Sequence, residues 1–217
     1  MTATHPDGTP RVLRQSVGEP AVHDPAGKPW TSGFTKHRVA GPVSLRVDGL
    51  DGDGQADLKV HGGPDRAVLL YAADHYQAWA RDDGIHFPYA AFGENWTVSG
   101  LDERSVCLGD VYAIGSAVVE VSQPREPCWK LCRRWNRPEL AKRAAETGRL
   151  GWYARVLEPG VVAAGDALHL RERPLPDWPV ARLTGLLTDR AARAVAAPFL
   201  SGCPRLSRLW RETKFKP

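Results

Sequence analysis

The chain reads as mainly β with some α: a β-barrel-like body followed by a small helical unit. Three features of the 217-residue sequence point there. Its 21 glycines and 18 prolines supply many turns, which suits short strands joined tightly. Short β-branched or alternating apolar runs recur as far as Leu170. Beyond Leu170 the texture changes to a Pro-rich charged stretch and then to short helical patterns.

Taken in order, residues 1–30 are rich in Pro, Gly and short polar side chains, with an edge strand expected at Arg11–Val17. Val43-Ser44-Leu45-Arg46-Val47 alternates and reads as a strand. Asp57–Val60 and Ala67–Tyr71 read as two more, separated by the turn His61-Gly62-Gly63-Pro64-Asp65. A helix is predicted over Ala73–Asp82, because Tyr76, Trp79 and Ala80 share a face and Gly84 is placed to end it. Further strands are expected at Trp96–Val98, Val111–Ile114, Ala117–Val121, Tyr153–Leu157 and Ala167–Leu170. Between them Asn136 is expected to cap a helix, with Pro138 in its first turn, Glu139 three residues after the cap and Gly148 just past its end. Arg171–Asp177 reads as a linker, followed by helical patterns near Pro179–Leu187, Asp189–Ala197 and Pro204–Glu212. The expected division is a barrel domain at 1–173 and a three-helix domain at 174–217.

Composition is ordinary for a folded domain, at 42% hydrophobic and 25% charged, with a mild net charge of +4. No block of like charges forms a binding tail, and Lys130, Arg133, Arg134 and Arg137 read as a solvated face, so no nucleic-acid partner is expected. No apolar run approaches the ~18 residues that span a bilayer, so no membrane partner is expected. Met1–Pro10 is polar and unlike a secretion signal, which points to a cytoplasmic location. The four cysteines, Cys107, Cys128, Cys132 and Cys203, have neither a small-domain disulfide spacing nor that of a four-Cys zinc site. Terminal leucines such as Leu183, Leu186, Leu187 and Leu209 suit either a cover for the barrel or a dimer contact, so monomer and homodimer both stand.

Chemistry concentrates at Gln123-Pro124-Arg125-Glu126-Pro127-Cys128. Pro124 and Pro127 each fix φ and remove a backbone donor, so the strand ladder should stop here and leave one thiol on a stiffened loop. Arg125, Lys130, Arg133 and Arg134 flank that thiol, and positive charge beside a thiol favours the thiolate, the form that attacks electrophiles or binds soft metals. A small buried hydrophobe is the other reading of Cys128. Asp51–Asp57 resembles a calcium loop only superficially, because its sixth and twelfth positions hold Ala56 and Gly62 where Gly and Glu are needed. His61-Gly62-Gly63 lets backbone amides approach an anion, with His61 able to bind phosphate or move a proton; a hairpin turn with a packed histidine is the alternative. Gly93-Glu94-Asn95 sets a permissive glycine beside an acid and an amide, a trio suited to the edge of a heterocycle and equally to a plain turn. The sequence motifs of serine hydrolases, zinc proteases, nucleotide triphosphatases and dinucleotide binders are absent.

As an ordered set, several pieces resemble the MOSC-domain family, named after the C-terminal domain of molybdenum cofactor sulfurase. They are Thr31–Lys36, Gly49–Asp57, His61–Val68, Phe92–Asn95, Gly109-Asp110 and Gln123–Cys128. The nearest branch is the YiiM-like one, whose terminal three-helix domain is similar to Asp177–Arg182 and the segment through Trp210. The resemblance covers nearly the whole chain from about residue 30.

That resemblance implies a β-barrel holding a molybdenum cofactor (Mo-molybdopterin), with Cys128 as the protein's ligand to the metal. Lys36, Arg125 and the amides around His61, Gly62 and Gly63 would then hold the cofactor's phosphate, and Gly93, Glu94 and Asn95 its pterin. The implied activity is reduction of N-hydroxylated bases or amidoximes to the parent amine or amidine, with His61 as proton donor beside the catalytic Cys128. The chain lacks plant-type ferredoxin cysteine spacing, so electrons are expected from a separate flavoprotein or iron–sulfur donor. Two alternatives remain: a sulfur carrier with a Cys128 persulfide, and a cofactor-binding protein without turnover. Pocket walls are expected from loops such as Ile85–Phe92 and Trp129–Trp135.

Overall fold

The computed structural model describes residues 8–23, 29–56 and 62–216. Its first half comprises β1 (Arg11–Val17), β2 (Ala21–His23), β3 (Trp30–Ser32), β4 (His37–Arg38), β5 (Val43–Arg46), β6 (Gly49–Leu50), β7 (Val68–Ala72), α1 (Ala73–Asp83) and β8 (Trp96–Ser99). There follow β9 (Val111–Ile114), β10 (Ala117–Pro124), α2 (Trp129–Trp135), α3 (Leu140–Thr147), β11 (Trp152–Glu158), β12 (Gly160–Val162) and β13 (Leu168–Glu172). Three helices end the chain: α4 (Val180–Gly185), α5 (Arg190–Ser201) and α6 (Arg208–Lys214).

Among the described residues eight strands form one curled sheet in the order β13-β9-β10-β11-β7-β8-β1-β4, with only β7 and β8 parallel. The curl brings its two ends together. Arg11 of β1 bridges Ala167 just before β13, and the Leu168 amide donates to the Pro10 carbonyl at 2.8 Å. A three-stranded sheet, β12-β5-β6, sends Val43, Leu45, Leu50 and Val162 into the same core as Val68, Trp96, Val119 and Trp152. The mainly β reading with a half-closed barrel therefore holds.

β10 is buried along its whole length, because it has the barrel interior on one side and the terminal helices on the other. Fully burying each of its valines contributes about 1.5–3 kcal/mol. The helices pack around Leu183, Leu200, Leu206, Trp210 and Phe215, and Leu108 of the barrel completes that cluster. Polar ties reinforce the contact: the Ser207 amide donates to Ser122 O at 3.0 Å, and buried Glu120 pairs with both Arg155 and Arg205. Beside α1, a second apolar cluster stacks Tyr71, Trp79 and Phe92.

Most expected elements are present, with corrections. β1 is not an edge strand, since it lies between β8 and β4. β10 runs three residues past Val121: a bulge between Val121 and Gln123 re-registers it, and Pro124, which has no N–H to donate, is its last residue. Asn136 does not start a helix. It ends α2 in the left-handed conformation at φ 49°, its amide donating to Arg133 and Cys132 carbonyls, and α3 starts only after Glu139. Asn adopts that conformation readily, so a residue suited to an N-cap serves here as a stop. Gly148 ends α3 as expected, at φ 69°. The expected loop Trp129–Trp135 is α2. β13 continues to Glu172, into the stretch read as a linker, and Arg173 then closes on buried Asp110 at 2.7 Å. The strand expected at Asp57–Val60 lies outside the described residues.

Candidate functional site

Where β10 ends, the chain leaves the sheet and the Arg125 amide donates to the Gly151 carbonyl at 3.0 Å. This fixes Arg125 on the wall of a cavity of about 600 Å³. Its guanidinium lies over the Phe34 ring at 5.8 Å and is 97% buried as a residue, yet its Nη1 has no hydrogen-bond partner among the described residues. A buried donor without a partner is costly, and more so when it is charged. Such a group is stabilised by an anion entering the cavity.

Cys128 lines the same cavity, half-buried, in extended backbone just before α2. Next to it Trp129 is 51% exposed. Lys130 and Arg133 lie over its ring at 6.0 and 5.3 Å, and Trp30 meets it edge-on at 5.6 Å. The rim beside the thiol is thus cationic and aromatic.

The facing wall is built around Asp53. Its carboxylate accepts from Lys36 Nζ, from the Gly18 amide at 2.8 Å and from Asn95 Nδ2 at 2.8 Å. Burial pulls the Lys36 ammonium below its ordinary pKa, and Asp53 offsets part of that shift. Asn95 also donates to Ser16 O and accepts from the Leu69 amide at 3.0 Å, so its side chain clasps β1, β7 and the Asp53 turn together. Gly93 sits at φ 78° with the Phe34 ring so close that a Cβ would lie 2.8 Å from it.

The floor holds Arg66, whose Nε donates to Gln123 Oε1 at 3.1 Å and whose guanidinium lies 5.7 Å over Tyr153. Gln55 links the Gly63 amide, at 2.9 Å, to the Arg66 carbonyl. The last wall comes from α6, through Leu209, Thr213 and Lys214.

Of the residues singled out from sequence, Lys36, Gly93, Asn95, Arg125 and Cys128 meet on this cavity. Glu94 does not line it. Its fully buried carboxylate accepts from Tyr76 Oη, Thr97 Oγ1 and the Ala90 and Phe92 amides, which fixes the loop that carries Gly93 and Asn95. Gly62 and Gly63 do not line the cavity either, and the Gly63 amide is taken by Gln55. His61 lies outside the described residues.

A family model described as MOSC domain matches residues 57–169, about half of the chain. The chain belongs to the MOSC-domain family. It is 43% identical over 152 residues to protein YiiM of Escherichia coli, covering 69% of this chain and 67% of that protein. It is 37% identical over 207 residues to a protein of Gibberella moniliformis named reductase, covering 94% of this chain but only 36% of that much longer protein. The crystal structure of YiiM from Geobacillus stearothermophilus matches with TM-score 0.79 and 35% identity, covering 94% of this chain and 96% of that one. The MOSC match thus spans Arg66, Gly93, Asn95, Arg125 and Cys128, whereas Lys36 and α6 lie outside it. No helix among the described residues is long and apolar enough to cross a membrane.

Sequence reasoning passed over Phe34, Asp53, Arg66, Gln123 and Tyr153 on the cavity wall. All but Tyr153 lie inside the motif segments already noted, so the motifs marked the place without saying which side chains face inward. For Lys214 the sequence carries no signal, since its role depends on where α6 docks.

Proposed function

We propose that this MOSC domain binds a molybdenum cofactor and reduces N-hydroxylated small molecules, such as N-hydroxylated bases or amidoximes, to amines or amidines. The observation that carries the reading is one cavity on which a half-buried thiol, Cys128, and a buried cation with an unsatisfied donor, Arg125, meet. The residues fit the cofactor: a thiolate suits molybdenum, and a phosphate supplies the anion that Arg125 lacks. The reductase name of the fungal relative supports the activity.

When bound, the cofactor supplies a two-electron reduction in which the N–O bond breaks, two protons are taken up and water leaves. Cys128 Sγ holds the metal in this reading. Arg125 would donate to the phosphate, and Lys36, paired with Asp53, would add donors at the facing wall. Gly93 and Asn95, on the cavity wall, would hold the pterin, with Glu94 fixing their loop in place. Phe34 and Phe92 keep that side apolar and limit water. The proton delivered to the substrate nitrogen is assigned to His61 from the sequence. The electrons come from a separate flavoprotein or iron–sulfur protein.

The test is molybdenum analysis of protein purified from a cofactor-producing host, beside Cys128→Ala, with reductase activity followed using an artificial electron donor. Near-stoichiometric metal and N–OH reduction in the wild type, both lost in C128A, are expected. No metal in the wild type overturns the reading and turns attention to persulfide chemistry at the same thiol; metal without turnover leaves a cofactor-binding protein.

A further inference from the structure

The family match ends at residue 169, but the cavity does not: Leu209, Thr213 and Lys214 of α6 close one side of it. Lys214 Nζ pairs with Glu126 Oε2 at 2.8 Å, and Glu126 itself lines the cavity two residues before Cys128. The two side chains are about one-third exposed, 30% and 33%, so the pair stands at the cavity mouth and is only partly screened.

The segment this pair grips has few other anchors. Arg125 is tied by its amide to Gly151, and the next backbone bond is the Leu131 amide donating to Cys128 O at 3.1 Å, already within the first turn of α2. Pro127 has no amide to give. Between those two ties the described side-chain links are Trp129 edge-on to Trp30 at 5.6 Å, Lys130 Nζ to the Thr31 carbonyl at 3.5 Å, and Glu126, which leads to α6. At its other end α6 is held firmly. The Arg208 amide donates to Asp65 Oδ2 at 2.8 Å, the Ser207 amide to Ser122 O at 3.0 Å, and Trp210 is fully buried. One rigid helix therefore reaches across the mouth and grips the thiol-bearing loop.

We infer that α6 is part of the site and that Lys214 is a positioning residue for Cys128, acting through Glu126. The consequence for catalysis rests on the reading of Cys128 as the metal ligand; the positional claim does not. It is tested on full-length metal-free protein by amide hydrogen exchange of residues 126–131, so either reading can fail alone. Opening of a short loop tracks its local stability, so losing one partly exposed ion pair changes exchange by a small factor. Lys214→Met and Glu126→Gln are each expected to speed exchange of that peptide about two- to fivefold, leaving β10 and β11 unchanged. Lys214→Arg keeps the charge and is expected to match the wild type. The reversed pair, Glu126→Lys with Lys214→Glu, is expected to bring exchange back toward it. Unchanged exchange at 126–131 in K214M overturns the inference. So does a rise spread equally over β10 and β11, which reports general destabilisation, or a reversed pair no better than K214M alone.

Discussion

The Arg125 amide donates to the carbonyl of Gly151 at 3.0 Å, and the Gly151 amide in turn donates to Glu103 Oε1 at 2.6 Å. The placement of the cavity's unsatisfied cation thus depends on a carboxylate that never touches the cavity. Glu103 is 3% exposed; it also accepts from the Leu150 amide at 3.1 Å and, through Oε2, meets His75 Nε2 at 2.7 Å. Glu103→Ala strips the buried Gly151 amide of its acceptor, at a cost of about 1–3 kcal/mol for a group left unsatisfied, while the Leu150 amide keeps the Gly148 carbonyl at 3.0 Å. A loss of about 1–3 kcal/mol in urea unfolding is expected, with Glu103→Gln, which keeps an acceptor oxygen, losing about half as much. Equal losses in the two variants would place the cost in packing instead of in the Gly151 amide.

Gly93→Ala tests the wall opposite the thiol. A side chain there must adopt φ 78° and place its Cβ 2.8 Å from the Phe34 ring. The left-handed conformation costs about 1–2 kcal/mol for a non-glycine residue, and Phe34 has to move as well. Phe34 carries the Arg125 and Arg134 guanidinium groups over its ring, so its displacement disturbs both. A destabilisation of about 2 kcal/mol, with weaker retention of any anionic ligand, is expected. Stability within about 0.5 kcal/mol of wild type would show that the loop relaxes freely.

Local patterning made the body legible. α1 and its stop at Gly84 follow from Tyr76, Trp79 and one glycine, and β9 has the bounds expected of it. What escaped depends on partners distant in sequence. β2, β4, β6 and β12 are only two or three residues long and exist through pairing, beyond what propensity reaches. Asn136 misled because the same side chain suits a helix start and a left-handed stop, and only the packing of α2 against α3 decides between them. At the cavity, charge and glycine patterns located the right loops. They did not show that Glu94 turns inward to Tyr76 and the loop amides, nor that Lys214 arrives from the far end of the chain.

The tyrosines give a pH prediction. All five, Tyr71, Tyr76, Tyr89, Tyr112 and Tyr153, have hydroxyls raised above the ordinary value, burial being the largest cause in each. The Glu94 carboxylate adds to the shift at Tyr76, and Asp110 does so at Tyr112. A group whose pKa is raised by folding contributes stability that is fully present below its unfolded pKa, here about 10, and is lost as pH climbs toward the folded value. Each of the buried ones, Tyr71, Tyr76 and Tyr112, removes up to ~1.4 kcal/mol of stability per pH unit in that window, and the partly exposed Tyr89 less. The native protein should therefore show little tyrosinate absorbance near pH 10, with the signal appearing together with loss of near-ultraviolet circular dichroism. Smooth titration of several tyrosines while the fold persists would contradict the burial of these rings.

Arg125→Met separates the demands of folding from those of binding. The Arg125 guanidinium is buried, lies over Phe34, and has Nη1 unpaired among the described residues, so its desolvation is only partly offset. Methionine fills a similar volume without charge, and replacing an incompletely paired buried ion by an apolar side chain is often neutral or stabilising, by about 1 kcal/mol or more. R125M is therefore expected to unfold at equal or higher urea than wild type when metal-free, while retaining at least tenfold less molybdenum after gel filtration. Arg125→Lys keeps a charge but not the planar fork, and should fall between them in metal retention. A metal-free R125M that is clearly less stable would mean that Arg125 is satisfied within the protein itself and that its chief role is to hold the end of β10.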